Sequence, residues 1–213
     1  MSNVAVLLTS VTMVLGTLWY IWLVVRRKIQ PVLTSWIIFG TTMAIGFWSY
    51  WNSPTHSLVG NIGNLTGVVS AISILIAVSV VQLCKKELGV RFNRFQVKCL
   101  AAALGILISW GMLRFVIGNE VAAAISNVFT QILMIIGYIA LAERLWNAEE
   151  NSESLFTWSA IFLAALFSLI PAIVKSDLLG ILYGARAAIT SAITVYLILR
   201  ILVKKRNLQG ASI

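Results

Sequence analysis

From Val4 to Lys28 the chain reads VAVLLTSVTMVLGTLWYIWLVVRRK: an uncharged run closed by three consecutive cations. A bilayer core takes about 20 apolar residues as a helix, so this run is long enough to span. No basic residue precedes it, and it is too long for the apolar core of a signal peptide. It reads as a retained helix with its N-terminus outside, stopped on the inner face by Arg26, Arg27 and Lys28.

Six further runs of the same kind follow. With the first, the expected spans are Val4–Val25, Val32–Trp51, Leu58–Leu83, Val97–Ile117, Val121–Ala142, Leu155–Val174 and Leu178–Val203. They use up most of the 213 residues, of which 60% are hydrophobic and 11% charged. A soluble domain would carry about a quarter charged residues. Barrel strands are excluded, because they need only about 10 alternating residues and these runs are uniformly apolar. The fold class is an all-α polytopic membrane protein of seven transmembrane helices.

The formal net charge of +9 is a topology signal, not a nucleic-acid footprint. Arg26, Arg27 and Lys28 follow the first span, Lys85, Lys86, Arg91, Arg94 and Lys98 flank the third and fourth, and Arg144 follows the fifth. Arg200, Lys204, Lys205 and Arg206 close the seventh. With alternating helices all of these share one face, which predicts an outer N-terminus and a cytoplasmic C-terminus. The surplus also suits contact with anionic lipid. Short loops and compact size fit a prokaryotic inner membrane. Cys84 and Cys99 fall at cytoplasmic span ends, where thiols stay reduced, so no disulfide is expected.

The spans carry an internal repeat. A shift of 121 places Thr9 on Thr130, Ser10 on Gln131 and Gly16 on Gly137. A shift of 122 places Leu33-Thr34-Ser35-Trp36 on Leu155-Phe156-Thr157-Trp158, and one of 120 places Gly60 on Gly180 and Ser70 on Thr190. Three helices end on the opposite face from their start, so a second copy in the same orientation needs an odd linker helix, and the fourth span supplies it. The expected organisation is a first unit over 1–84, a basic loop and linker helix over 85–118, a second unit over 119–206 and a tail over 207–213.

This three-plus-one-plus-three arrangement resembles the SWEET sugar transporters and the wider PQ-loop superfamily, whose parallel repeats enclose a solute site. The opening Gln30-Pro31-Val32-Leu33-Thr34-Ser35-Trp36 is also similar to a group of bacterial seven-helix membrane proteins. The Pro-Gln dipeptide is reversed here, and the SWEET-type asparagine has counterparts in the first unit (Asn61, Asn64) but not the second, where Ile181 and Gly184 stand. The resemblance implies a fold and a transport activity, not a sugar substrate.

Arg186 is the most informative single residue. It lies eight positions inside the seventh span, about 12 Å along the helix axis. An arginine there is costly toward lipid, so it should face the bundle or water. It either binds an anion in a central cavity or serves structure, by snorkelling outward or pairing with Asp177 or Glu120. Tyr183, on the same helix, is counted with the cavity. Asn61 and Asn64 sit one turn apart near the start of the third span and either bind a polar solute or join helices. Asn127, Thr130 and Gln131 form a polar stripe on the fifth span, with Tyr138 deeper, which lines a cavity or bonds a neighbour.

Trp19, Trp22, Trp36, Trp48, Trp51, Trp146 and Trp158 fall near span ends, as an interfacial aromatic belt would. By the SWEET resemblance Trp48 and Trp51 are alternatively ligand-stacking residues. Pro171 is a candidate hinge. The acidic stretch Glu149-Glu150-Asn151-Ser152-Glu153 reads as a solvated cytoplasmic turn.

An enzyme is not expected. The chain has one histidine, His56, in a short loop, no carboxylate deep in a span, no metal-ligand cluster and no call for a cofactor. A retinal protein fails for want of a lysine in mid-membrane. What remains is a small-solute facilitator or exchanger working by alternating access, its partner a small polar solute, neutral or anionic, with lipid around it. The alternative is a receptor or structural protein with no solute path. Seven helices fold as one unit, which leaves the oligomeric state open.

Overall fold

The computed structural model describes residues 2–51, 58–83, 93–116 and 119–210. It is all-helical: α1 (Ser2–Val25), α2 (Leu33–Trp51), α3 (Ile62–Leu83), α4 (Arg94–Val116), α5 (Asn119–Asn147), α6 (Leu155–Val174) and α7 (Leu178–Gly210). The sixth expected span and α6 coincide. α5 and α7 outrun theirs, because a helix need not stop where the bilayer does. α7 continues through Lys204, Lys205 and Arg206 into the expected tail.

Six of the helices, all but α2, are long and apolar enough to cross a membrane. α2 has 19 residues and no charge, but it carries Thr34, Ser35, Thr42 and Ser49, all buried. These hydroxyls lower its hydropathy but lie on the face packed against α3 and α5, while Thr41, Trp48 and Trp51 stand exposed on the other. The outer surface is apolar instead: Leu7 and Leu18 of α1, Ile76 of α3, Met112 of α4 and Ile189 of α7 are all well exposed. Such continuous apolar cover suits lipid, not water.

α6 packs on α1 and α7, α2 on α5 and α3, α1 on α3, and α5 on α7. Among the described residues the backbones of consecutive helices α1 and α2 stand apart, as do those of α5 and α6, and only side chains bridge them, Trp36 to Tyr20 and Tyr138 to Trp158. Among the described residues α4 meets only α5 and α2. The main core joins Tyr20, Trp36, Phe39, Trp158 and Ile198, with Tyr138 packed against it. The α2 hydroxyls of Thr34, Ser35 and Ser49 have no hydrogen-bond partner, but other buried hydroxyls bond back to their own helices, as Thr9 does to the Ala5 carbonyl at 2.8 Å and Thr17 to Met13 at 2.8 Å. That satisfies them without water, as a helix in lipid requires.

The connections gather at two opposite ends. At one, the Gln30 amide donates to the Ser152 carbonyl at 3.1 Å, tying the α1–α2 turn to the α5–α6 turn. At the other, the Tyr50 hydroxyl donates to Asp177 Oδ2 at 2.6 Å, tying the end of α2 to the start of α7. There a Cβ on Gly180 would lie 2.9 Å from the Gly60 carbonyl oxygen, so only glycine allows this approach.

Candidate functional site

α7 begins on a cap: the Gly180 amide donates to Asp177 Oδ1 at 2.9 Å. From that anchored start the helix carries Tyr183 and then Arg186 into the middle of the bundle, where Arg186 is 9% exposed. Its Nε donates to Gln131 Oε1 of α5, and its guanidinium carbon lies 5.0 Å from the Tyr183 ring centroid. The two terminal nitrogens, Nη1 and Nη2, are buried and have no hydrogen-bond partner. Asp177, one of the two expected partners, is engaged with Tyr50 and the Gly180 amide instead. The side chain of Glu120, the other, lies outside the described residues. Among the described residues no carboxylate comes within ion-pairing distance of Arg186.

Two chambers meet at this arginine. The larger, about 50 Å³, is lined from α1 (Met13, Thr17), α2 (Trp36, Phe39), α3 (Ser70, Ile74), α5 (Tyr138), α6 (Trp158, Ser168) and α7 (Arg186). Every helix but α4 contributes. The smaller, about 10 Å³, is lined by Thr42, Gly46, Asn64, Thr130, Gln131 and Arg186 among others. Met43, Met134, Tyr183 and Arg186 border both. Of these the Tyr183 hydroxyl donates weakly to Met43 Sδ across 3.7 Å. The wall between the chambers is therefore a tyrosine–thioether contact with a half-engaged guanidinium beside it.

Of the residues singled out in the sequence, Asn64, Gln131, Tyr183 and Arg186 come together around the small chamber. Asn61 is buried, with neither amide atom bonded, but lines neither chamber. The side chain of Asn127 lies outside the described residues, as does Cys84; Cys99 is a free, buried thiol. Pro171 sits one turn before the end of α6 and is buried. Trp48 does not belong with the site: it is 60% exposed on the outside of the bundle and borders neither chamber. The turn of α2 that sends Tyr50 inward to Asp177 sends Trp48 outward.

The aromatic belt needs a second correction. Trp19, Trp22, Trp48, Trp51 and Trp146 are exposed as belt residues would be, but Trp36 and Trp158 are buried at 4% and 1%. Their ring centroids are 6.3 Å apart and both line the larger chamber. Near a span end, sequence alone does not tell a lipid-facing tryptophan from one facing the core.

The acidic stretch conceals the residue that sequence reasoning missed. Glu153 is not solvated: it is 2% exposed. Its Oε2 accepts from the Tyr20 hydroxyl at 2.7 Å and from Trp158 Nε1 at 3.1 Å, and Tyr20 in turn accepts from Trp36 Nε1 at 3.1 Å. Asn151 folds the turn back, its amide group bonding both the N–H and the carbonyl of Glu153 at 3.0 and 2.8 Å. Burial pushes the Glu153 carboxyl up to about 7, against the opposing pull of the Tyr20 and Trp158 hydrogen bonds and the Arg144 charge. The signal available was Glu153-Ser154 directly before a helix that bears a tryptophan matched to Trp36, with Ser154 capping α6 through the Thr157 amide at 3.1 Å.

Comparison of the chain with protein-family models, with curated proteins and with solved structures returned no match.

Proposed function

We propose that this protein is a small-solute membrane transporter, a facilitator or exchanger, with its solute site at the Arg186 chambers. The observation that carries the reading is a chamber to which six of the seven helices contribute, bordered by a buried guanidinium with two unpaired nitrogens. A buried charge whose donors are unmet is costly, and a polar solute would meet them.

Alternating access between two three-helix units is supported by the exchange pattern of the packing. If α1, α2 and α3 correspond to α5, α6 and α7, the pair α1–α6 corresponds to α5–α2, and both pack extensively; α1–α3 and α2–α3 likewise correspond to α5–α7 and α6–α7. Gly16 and Gly137, matched in the repeat, hold equivalent posts: Gly16 admits Ala160 of α6 and Gly137 admits Phe39 of α2. The SWEET-like, N-outside arrangement rests on this pattern and on the basic bias of the loops. α4 is the peripheral linker. Pro171 and the left-handed Ser176 (φ 52°) lie where α6 hands over to α7, the place for a hinge.

The rival reading, a receptor or structural bundle with no solute path, draws on the modest size and largely apolar lining of the larger chamber. Proteoliposomes decide between them. Loaded with a mixture of small labelled organic anions and neutral solutes, wild-type vesicles should release at least one faster than protein-free vesicles. Release indistinguishable from the protein-free control for every solute would favour the rival.

A further inference from the structure

The solute class can be read from how Arg186 is held, an inference that rests on the Arg186 chambers being a solute site. An arginine has five donors in a fixed plane and stays charged in any protein environment. Here Gln131 takes the Nε donor, so the side-on edge of the guanidinium is occupied and the end-on pair, Nη1 and Nη2, is free. That pair matches the two oxygens of a carboxylate, in the bidentate geometry by which arginine selects planar anions. Neither Asp177 nor any other described carboxylate fills the role in cis.

The rest of the larger chamber says what the carboxylate is attached to. Trp36, Phe39, Met43, Met134, Tyr138 and Trp158 offer aromatic and thioether surface, and the only other polar groups near are hydroxyls such as Thr17 and Ser70. Thr17 Oγ1 already donates to Ser70 Oγ at 2.6 Å. A sugar would leave most of its hydroxyls unbonded against such walls, at a cost for each. The volume sets the size. At about 50 Å³ the chamber holds roughly three to five water-sized groups.

We infer that the ligand is a short-chain monocarboxylate, bound end-on by Nη1 and Nη2 of Arg186 with its apolar tail along the aromatic and thioether wall of the larger chamber. A free short acid and a fatty acid from the bilayer share that chemistry, and the chamber favours the short one. Phosphate and sulfate fit worse, because tetrahedral, strongly hydrated oxyanions have no apolar part for the walls to cover.

The test is thermal unfolding of the purified full-length protein at constant ionic strength, titrated with acetate, propionate, butyrate and octanoate. Acetamide and propionamide, sulfate, phosphate and glucose serve as comparisons. Ligand that binds only the folded state raises the melting temperature according to its concentration over its Kd. The short carboxylates should stabilise saturably and the amides should not. Arg186→Lys should weaken binding at least tenfold. Gln131→Glu separates loss of binding from loss of fold: it supplies the missing carboxylate in cis, so it should melt at or above the wild-type temperature and no longer respond to any carboxylate.

Equal stabilisation by amides, or an undiminished response in Gln131→Glu, overturns the carboxylate assignment while leaving a solute site. Stabilisation by octanoate, sulfate or phosphate but not by the short acids overturns it in favour of lipid or inorganic anion. No response to any compound overturns the assignment together with the site. Saturable binding of short carboxylates without flux in proteoliposomes upholds the assignment and removes the transport reading.

Discussion

Arg186 in the middle of the bundle and Glu153 at the α1–α2 end are both charged residues taken out of contact with the surroundings, at 9% and 2% exposure. Glu153 settles most of its burial within the protein, although its Oε1 is without a hydrogen-bond partner. Two donors reach its other oxygen, and its carboxyl, raised to about 7, keeps its proton below that pH. Arg186 has no such exit, because guanidinium does not release its proton. Gln131 meets one donor and the terminal nitrogens stay unmet. The difference separates a seal from a site. Tyr20, Trp36, Trp158 and Glu153 lock three helices together, with Trp36 and Trp158 walling the larger chamber, whereas Arg186 borders both chambers.

Breaking the seal should produce the largest effects. Trp158→Ala removes a side chain that touches Trp36, Tyr138 and Glu153, and should cost about 3–5 kcal/mol in detergent unfolding. Trp48→Ala, at the exposed tryptophan, should change stability by no more than about 0.5 kcal/mol. Comparable losses for the two would erase the distinction between core and belt tryptophans.

Protonation of Glu153 should leave the next largest mark. A carboxyl raised from 4.5 to about 7 binds more protons folded than unfolded between those values. Stability on its account is therefore full below about pH 4.5 and is lost as pH rises to about 7. The melting temperature of wild type minus that of Glu153→Gln, followed from pH 4.5 to 8, should fall steadily and flatten above about 7. A pH-independent difference would mean that Glu153 is solvated.

Tyr20→Phe takes one donor from Glu153 and the acceptor from Trp36 Nε1, and should cost about 1–3 kcal/mol. The smallest effect belongs to Lys205→Ala. The exposed Lys205–Glu150 pair, 3.1 Å apart, ties α7 to the same turn but remains in solvent, so its loss should cost less than about 1 kcal/mol and vanish in high salt.

Much of this architecture was legible in the sequence because lipid imposes a one-dimensional rule. Apolar blocks of spanning length gave seven helices, and the ends of α6 were read to the residue. α2 was less plain, since a helix with one face packed on protein can carry Thr34, Ser35 and Ser49 there without facing lipid. At the site, Arg186, Gln131 and Asn64 were legible because polar residues inside a span must point somewhere other than lipid. Trp36, Trp158 and Glu153 were not. Whether a residue near a span end meets headgroups, water or protein depends on how the connecting turns fold back, and here Asn151 folds one of them over the bundle.

The central claim is a solute path that reaches Arg186 from both sides of the membrane. It is tested most directly by placing single cysteines at Ser70 of α3 and Ser168 of α6, both lining the larger chamber, with Cys84 and Cys99 replaced by serine. Each is then labelled with a membrane-impermeant thiol reagent from one face of sealed vesicles at a time. The account predicts that both positions react from either face and that a bound short carboxylate slows the reaction. Failure to react from one face or from both, with the protein folded and inserted, would contradict it.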